Sequence, residues 1–185
     1  SLPSYSQDIK DKIPEKFKGH WDDNAFFSMG YRHMCRLFSG GLYEDKFFNN
    51  VKYLMRLDCD SYITSEVSVD PFKVMADKEA IYGYVGEEED MDYVIEGLFD
   101  FVEKVLPTDK NLQYNKMYQT HFFIEDCEWF RSDPYMSYFK EIDKTGNIYI
   151  KRWGDAPIKY QGVMRLVPKE KRIKFHLPYR HGGDL

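Results

Sequence analysis

VKYLMRLDCD, Val51 to Asp60, is the stretch on which the fold turns. Its apolar run, Val51 to Leu57, has the length and the hydrophobic character of a buried strand bounded by a polar break. Two carboxylates, Asp58 and Asp60, follow at its carboxyl end. In open α/β sheets ligands bind beyond the carboxyl ends of strands. Carboxylates placed there can hold a hard divalent cation that bridges a diphosphate. On spacing alone the acidic pair is equally consistent with a turn or a helix cap.

Upstream, Asp22-Asp23 predicts the cap of a helix that Gly40-Gly41 ends. Phe27, Tyr31, Met34 and Phe38 share one apolar stripe of it, while Arg32 and Arg36, four apart, project together from another side. Such a pair is either a solvated face or a bidentate grip on phosphate. Downstream, Pro71 opens a short helix to about Lys78, and Ala80 to Val85 (AIYGYV) is a strand. The acidic run Glu87 to Asp90 reads as the start of a helix carrying Val94, Leu98, Phe101, Val102 and Val105 inward and stopping before Pro107.

The second half alternates again. Thr120 to Ile124 predicts a strand, Glu125-Asp126 a turn, and Asp133-Pro134 the start of a helix running to Gly146. Asn147 to Ile150 predicts a short strand, Asp155 the cap of a helix through about Leu166, Arg172 to His176 a β-run, and 177–185 an irregular tail. Alternating strands and helices argue for an α/β layer structure.

Composition narrows the function. The chain has 185 residues, 43% hydrophobic and 17% aromatic, enough to bury a core as one domain. A net charge of -5 with both signs interspersed argues against a nucleic-acid footprint or a polybasic membrane patch. Cys35, Cys59 and Cys127 are too widely spaced for a disulfide framework or a zinc site and read as ordinary buried thiols. No window approaches the roughly 18 consecutive apolar residues of a membrane helix, so no membrane span is expected.

Five ordered blocks then carry a resemblance: GYRHMCRLFSG (Gly30 to Gly40), RLDCD (Arg56 to Asp60), FFIEDCEWFRS (Phe122 to Ser132), RWGDAP (Arg152 to Pro157) and PYRH (Pro178 to His181). Together they resemble the signature blocks of the fungal α-1,2-mannosyltransferase family of the KRE2/MNT1 type, from about Ile13 to His181. The resemblance implies a GT-A-like fold, a mixed sheet flanked by helices, with residues 1–185 as a single domain and the family's amino-terminal nucleotide-binding portion reduced or missing. It also implies a manganese (or magnesium) ion, GDP-mannose as nucleotide-sugar donor, and a glycan or glycoprotein acceptor. A UDP-sugar donor and a non-catalytic carbohydrate-binding module are the alternatives. The location it implies is the Golgi lumen for a fragment of a typical member, or the cytoplasm for a soluble relative.

Carried over residue by residue, Asp58 stands at the Glu of the family's Glu-Pro-Asp motif, Asp60 matches its Asp, and His181 matches the histidine of its Gly-Tyr-x-His block. These three are the expected metal ligands. Tyr31, Trp153 and Asp155 fall in blocks lining the donor and acceptor site, where Asp155 would orient a sugar hydroxyl or take its proton; a plain helix cap is the competing reading. Arg32 and Arg36 are the candidate diphosphate contacts. One position departs: the family's candidate nucleophilic Glu falls at Phe123, which cannot attack an anomeric carbon. Glu125, two residues on and on the same face if the strand continues, is the candidate substitute.

Overall fold

The computed structural model describes residues 11–14 and 28–182. Its helices are α1 (Met29–Ser39), α2 (Pro71–Asp77), α3 (Leu98–Val105), α4 (Cys127–Phe130), α5 (Asp133–Lys144), α6 (Asn147–Ile150) and α7 (Asp155–Leu166). Strands β1 (Tyr53–Leu57), β3 (Tyr82–Tyr84), β6 (Phe122–Asp126) and β7 (Arg172–Lys174) form a four-stranded sheet in the order β1-β6-β3-β7. β6 runs antiparallel to β1 and β3, and β3 runs parallel to β7, so the sheet is mixed. The α/β expectation is borne out.

The sheet's organiser is β6, buried along its whole length. Phe122 and Ile124 alternate onto one face, against Met75 of α2 and Phe175. Phe123 projects onto the other, into the larger apolar cluster built with Tyr135 and Phe139 of α5 and Ile158 and Val163 of α7. β1, by contrast, lies at the end of the strand order rather than inside it. Its Met55 and Leu57 are 38% and 40% exposed, which corrects the expectation of a buried strand.

Several boundaries differ from the sequence reading, each for a local reason. Asp22-Asp23 and Phe27 lie outside the described residues. The α1 cap is Ser28, whose hydroxyl accepts the Tyr31 amide at 3.1 Å. Glu87–Glu89 is not a helix start but strand β4, paired antiparallel with β5 (Lys116–Tyr118). Glu125 and Asp126 are not a turn; they complete β6. Asn147 to Ile150 is helical, launched by Gly146 at φ 68°, a left-handed conformation that suits glycine. Within the tail, β8 (Tyr179–His181) pairs antiparallel with β2 (Ser61–Ile63) and sets Ser61 opposite His181, where an irregular segment was expected. Cys35 and Cys127 are buried as expected, whereas Cys59 is exposed.

Close packing at the end of α1 yields a stability prediction. A Cβ at Gly40 would lie 2.2 Å from Cγ of the fully buried Phe139. Overpacking of this kind costs about 1–3 kcal/mol. Gly40→Ala should therefore lower the urea midpoint without changing the m-value, and an unchanged midpoint would contradict the contact.

Candidate metal centre

Three chain segments meet at the carboxyl end of β1. The Asp58 amide donates to the His121 carbonyl at 3.0 Å, which ties the end of β1 to the start of β6. The turn that follows closes through Ser61 N to Asp58 O at 2.9 Å, and Gly182 N reaches Asp60 O at 2.9 Å. These backbone bonds bring one ligand atom each of Asp58, Asp60 and His181 within 4.8 Å of one another. The sequence-predicted trio is thus assembled in space. Two carboxylates and an imidazole at that spacing fit a divalent cation such as manganese.

His121 belongs to the same corner. Its ring lies flat on that of His181, centroids 4.2 Å apart at 16°. Burial, and then the neighbouring His181, push its pKa down to about 4, so the ring is neutral at pH 7.

A cleft of about 370 Å³ opens from this corner, with Asp58, His121 and His181 at one end and Glu88, Asp90 and Met91 among the groups lining it elsewhere. Arg56 joins Asp58 to Asp155: its Nε is 2.7 Å from Asp58 Oδ1 and its Nη1 is 2.9 Å from Asp155 Oδ2. The guanidinium rests on the Phe38 ring at 4.2 Å. Asp155 is the first residue of α7, whose cap position is Gly154, and its side chain is engaged by Arg56. Next along the cleft, Arg152 lies over the Tyr31 ring at 4.6 Å and holds a positive φ of 63°. Positive φ is costly in a non-glycine residue, and such strain collects at functional sites. Burial raises the pKa of Asp90 and lifts the Tyr31 hydroxyl far above its ordinary range, leaving it a permanent donor. The lining is therefore mixed in charge, with arginines set among carboxylates.

Comparison with known proteins assigns the chain to a family. Residues 12–183 match the family described as Glycolipid 2-alpha-mannosyltransferase. The chain belongs to that family. A probable mannosyltransferase, KTR2 of Saccharomyces cerevisiae, is 31% identical over 83% of this chain and 44% of its own length. Glycolipid 2-alpha-mannosyltransferase 1 of Candida albicans is 30% identical over 78% of this chain and 37% of its own. The chain thus spans less than half the length of these curated relatives. Among solved structures, the mannosyltransferase Ktr4p of S. cerevisiae in complex with GDP superposes with a TM-score of 0.76 and 25% identity, covering 93% of this chain and 52% of that one. Core-mannan synthase A from Aspergillus fumigatus, in its Mn/GDP form, gives 0.79 at 23% identity, covering 96% and 57%. At that identity the likeness speaks to the fold alone, which is the GT-A-like one expected.

Within this mannosyltransferase family fold, not every sequence-predicted residue reaches the cleft. Tyr31 and Asp155 line it. Arg36 does not: its Nε and Nη2 both donate to Asp143 at 2.7 Å, linking α1 to α5. Arg32 is fully buried and donates to the Tyr149 carbonyl, with burial lowering its pKa to about 10. Trp153 is 1% exposed and donates to the Glu96 carbonyl at 3.0 Å, a core role rather than a sugar platform. Glu125 shares a face with Phe123 as expected, but that face is sealed. Both its oxygens are taken, one by Lys159 and one by the Tyr43 hydroxyl, and its relative exposure is 0%.

The reading missed Arg56, His121 and Arg152, all on the cleft wall. Arg56 had a signal, a cation late in the apolar run VKYLMRL and two residues before Asp58. His121 and Arg152 had none short of the fold itself.

Proposed function

We propose that this chain carries the metal and leaving-group side of a manganese-dependent mannosyltransferase, which moves mannose from GDP-mannose to a hydroxyl of a glycan or glycoprotein acceptor. The observation carrying this reading is the convergence of Asp58, Asp60 and His181 beside a cleft that Asp58 and His181 line. Membership of the mannosyltransferase family supports the sugar, and the solved relative with GDP supports the nucleotide. Residues 1–185 are read as one GT-A-like domain, because a single apolar cluster runs from Ile13 to Val167. For a piece of a typical family member the place of action is the Golgi lumen.

Asp58, Asp60 and His181 would hold the ion, which when bound supplies Lewis-acid stabilisation of the charge growing on the departing diphosphate. Arg56 keeps Asp58 and Asp155 in place and balances their charge. Asp155 lines the cleft but is 2% exposed and held by Arg56, so it would act on an acceptor hydroxyl chiefly by fixing the Arg56 guanidinium at the cleft wall. The position of the family nucleophile is closed: Phe123 is fully buried and Glu125 is locked by Lys159 and Tyr43. That closure favours a second reading, a binding module that retains the metal and nucleotide site but transfers nothing.

Thermal-shift titrations with GDP and UDP, each with and without Mn²⁺, test the site. Ligand at about 100 times its Kd stabilises by about 2.7 kcal/mol, worth about 5–10 °C in a chain of this size. GDP with Mn²⁺ should give that shift and neither alone should. A larger response to UDP would assign the donor to a UDP-sugar, and no response to either would remove the nucleotide from the site. Mannose transfer to a mannoside acceptor then separates the enzyme from the module.

A further inference from the structure

We propose that His121 is a positioning residue for His181, acting through a hydrogen-bonded bridge, Ser61 and Tyr179, that couples the proton placement of the two imidazoles. The proposal rests on the metal reading given above and concerns how this chain prepares His181 as a ligand.

The geometry is a closed loop of four side chains. Ser61 Oγ lies 3.0 Å from His181 Nδ1 and 3.0 Å from the Tyr179 hydroxyl oxygen. The Tyr179 hydroxyl in turn bonds Nδ1 of His121. The loop is shut by stacking, because the His121 ring lies on His181 at 4.2 Å and faces Tyr179 at 5.4 Å. Backbone register makes this possible: β2 sets Ser61 opposite His181, and the Asp58 amide holds the His121 carbonyl.

Counting hydrogens decides what the loop does. Three links need three hydrogens, and each hydroxyl supplies only one. The third must come from Nδ1 of at least one imidazole, and with both hydroxyls donating inside the loop the chain of donors runs either from His181 to His121 or the reverse. A ligating histidine donates its other ring N–H to a neighbour. With Nδ1 turned to Ser61 Oγ and to Asp60 Oδ1 at 3.4 Å, ligation through Nε2 of His181 would select the first direction: His181 Nδ1–H to Ser61, Ser61 to Tyr179, Tyr179 to His121 Nδ1. The hydrogen of His121 is then left on Nε2. Since His121 lines the cleft with Asp58, a phosphate oxygen held in the cleft could accept that N–H. An anion-binding group is thereby readied by occupation of the metal site.

The test is imidazole nitrogen NMR on the whole chain, with Zn²⁺ as a diamagnetic stand-in for manganese. Zn²⁺ should place the His181 proton on Nδ1 and the His121 proton on Nε2 together. In Tyr179→Phe the ring is kept and the link is cut. His181 should still respond, His121 should no longer follow, and Zn²⁺ affinity measured by calorimetry should fall about 10-fold. Ser61→Ala should do the same, with amide spectra verifying that both variants stay folded. Zn²⁺ on Nδ1 of His181, a His121 proton on Nδ1 in the Zn²⁺ form, or unaltered coupling and affinity in both variants would each overturn the proposal alone. No response at His181 at all would overturn the metal reading as well as this one.

Discussion

Lys159→Met is expected to lower the free energy of unfolding by about 3–5 kcal/mol, the usual cost of removing one partner of a buried ion pair. Lys159 and Glu125 are both 0% exposed and pair directly. The ammonium also sits 4.2 Å from the centroid of the Phe123 ring and 5.4 Å from that of Phe130. Burial pushes the pKa of Glu125 up to about 7 against the pull of Lys159, and pushes that of Lys159 down. Take the lysine away and the carboxylate keeps only the Tyr43 hydroxyl. Its folded pKa is then raised further above the unfolded value. A group so shifted contributes stability that is fully present below its unfolded pKa and is lost as pH rises through its folded pKa. The deficit of Lys159→Met should accordingly be small near pH 4.5 and grow through pH 7, as read by urea unfolding at several pH values.

The double variant Glu125→Gln, Lys159→Met carries the decisive comparison. Replacing both partners of a buried pair by groups of similar volume is often close to neutral, and a glutamine carbonyl can still accept from Tyr43. The double variant should recover most of the loss and lose the pH dependence, a coupling that a double-mutant cycle measures directly. Because Glu125 is sealed in this pair, Glu125→Gln is expected to act on folding rather than on the chemistry expected of a substitute nucleophile. An equal deficit in the single and double variants would show that the pair contributes nothing as a pair.

How much of this was legible in the sequence depended on whether the decisive contact was local. The strand ending in Asp58 could be read because an apolar run and a polar stop are adjacent in the chain. Its position at the sheet edge could not, since that depends on β6, some sixty-five residues on. Glu87 to Glu89 shows the same limit: three identical residues have no period, and only pairing with Lys116–Tyr118 makes them a strand. Asn147 to Ile150 misled in the other direction. Its β-prone residues are overridden by Gly146 and by packing that buries Ile148 and Tyr149. Arg32 and Arg36 do leave α1 on a shared side, as their spacing requires, but spacing does not name a partner. Asp143 and the Tyr149 carbonyl claim them. Of the candidate metal trio, Asp58 and Asp60 were legible from their place after the apolar run, whereas His181 was legible only through resemblance, because nothing near it in sequence announces the acidic pair.

Asp60→Asn should weaken Mn²⁺ binding by about 100-fold or more and abolish the manganese-dependent response to GDP. Loss of a partner one shell further out already costs a metal site 10–100-fold, and here a charged oxygen of the ligand set itself is replaced by a neutral one. Asp60 is the informative choice of the three. Asp58 is paired to Arg56 at 2.7 Å, so neutralising it would also release a cation into the cleft and confuse the two effects. His181 is bound into the loop with Ser61 and stacked on His121, so its removal disturbs packing. The Asp60 side chain, 54% exposed, touches His181 Nδ1 at 3.4 Å, while the contact that orders the segment comes from its carbonyl, which the substitution keeps. Stability without metal should hence stay within about 0.5 kcal/mol, the usual range for exposed positions. Calorimetric titration with Mn²⁺ reads the first effect and urea unfolding of the metal-free variant reads the second. Undiminished Mn²⁺ affinity would take Asp60 out of the site. A large fall in metal-free stability would mean that the carboxylate holds the β2–β8 corner together, and the convergence of the trio would then be a structural feature before it is a chemical one.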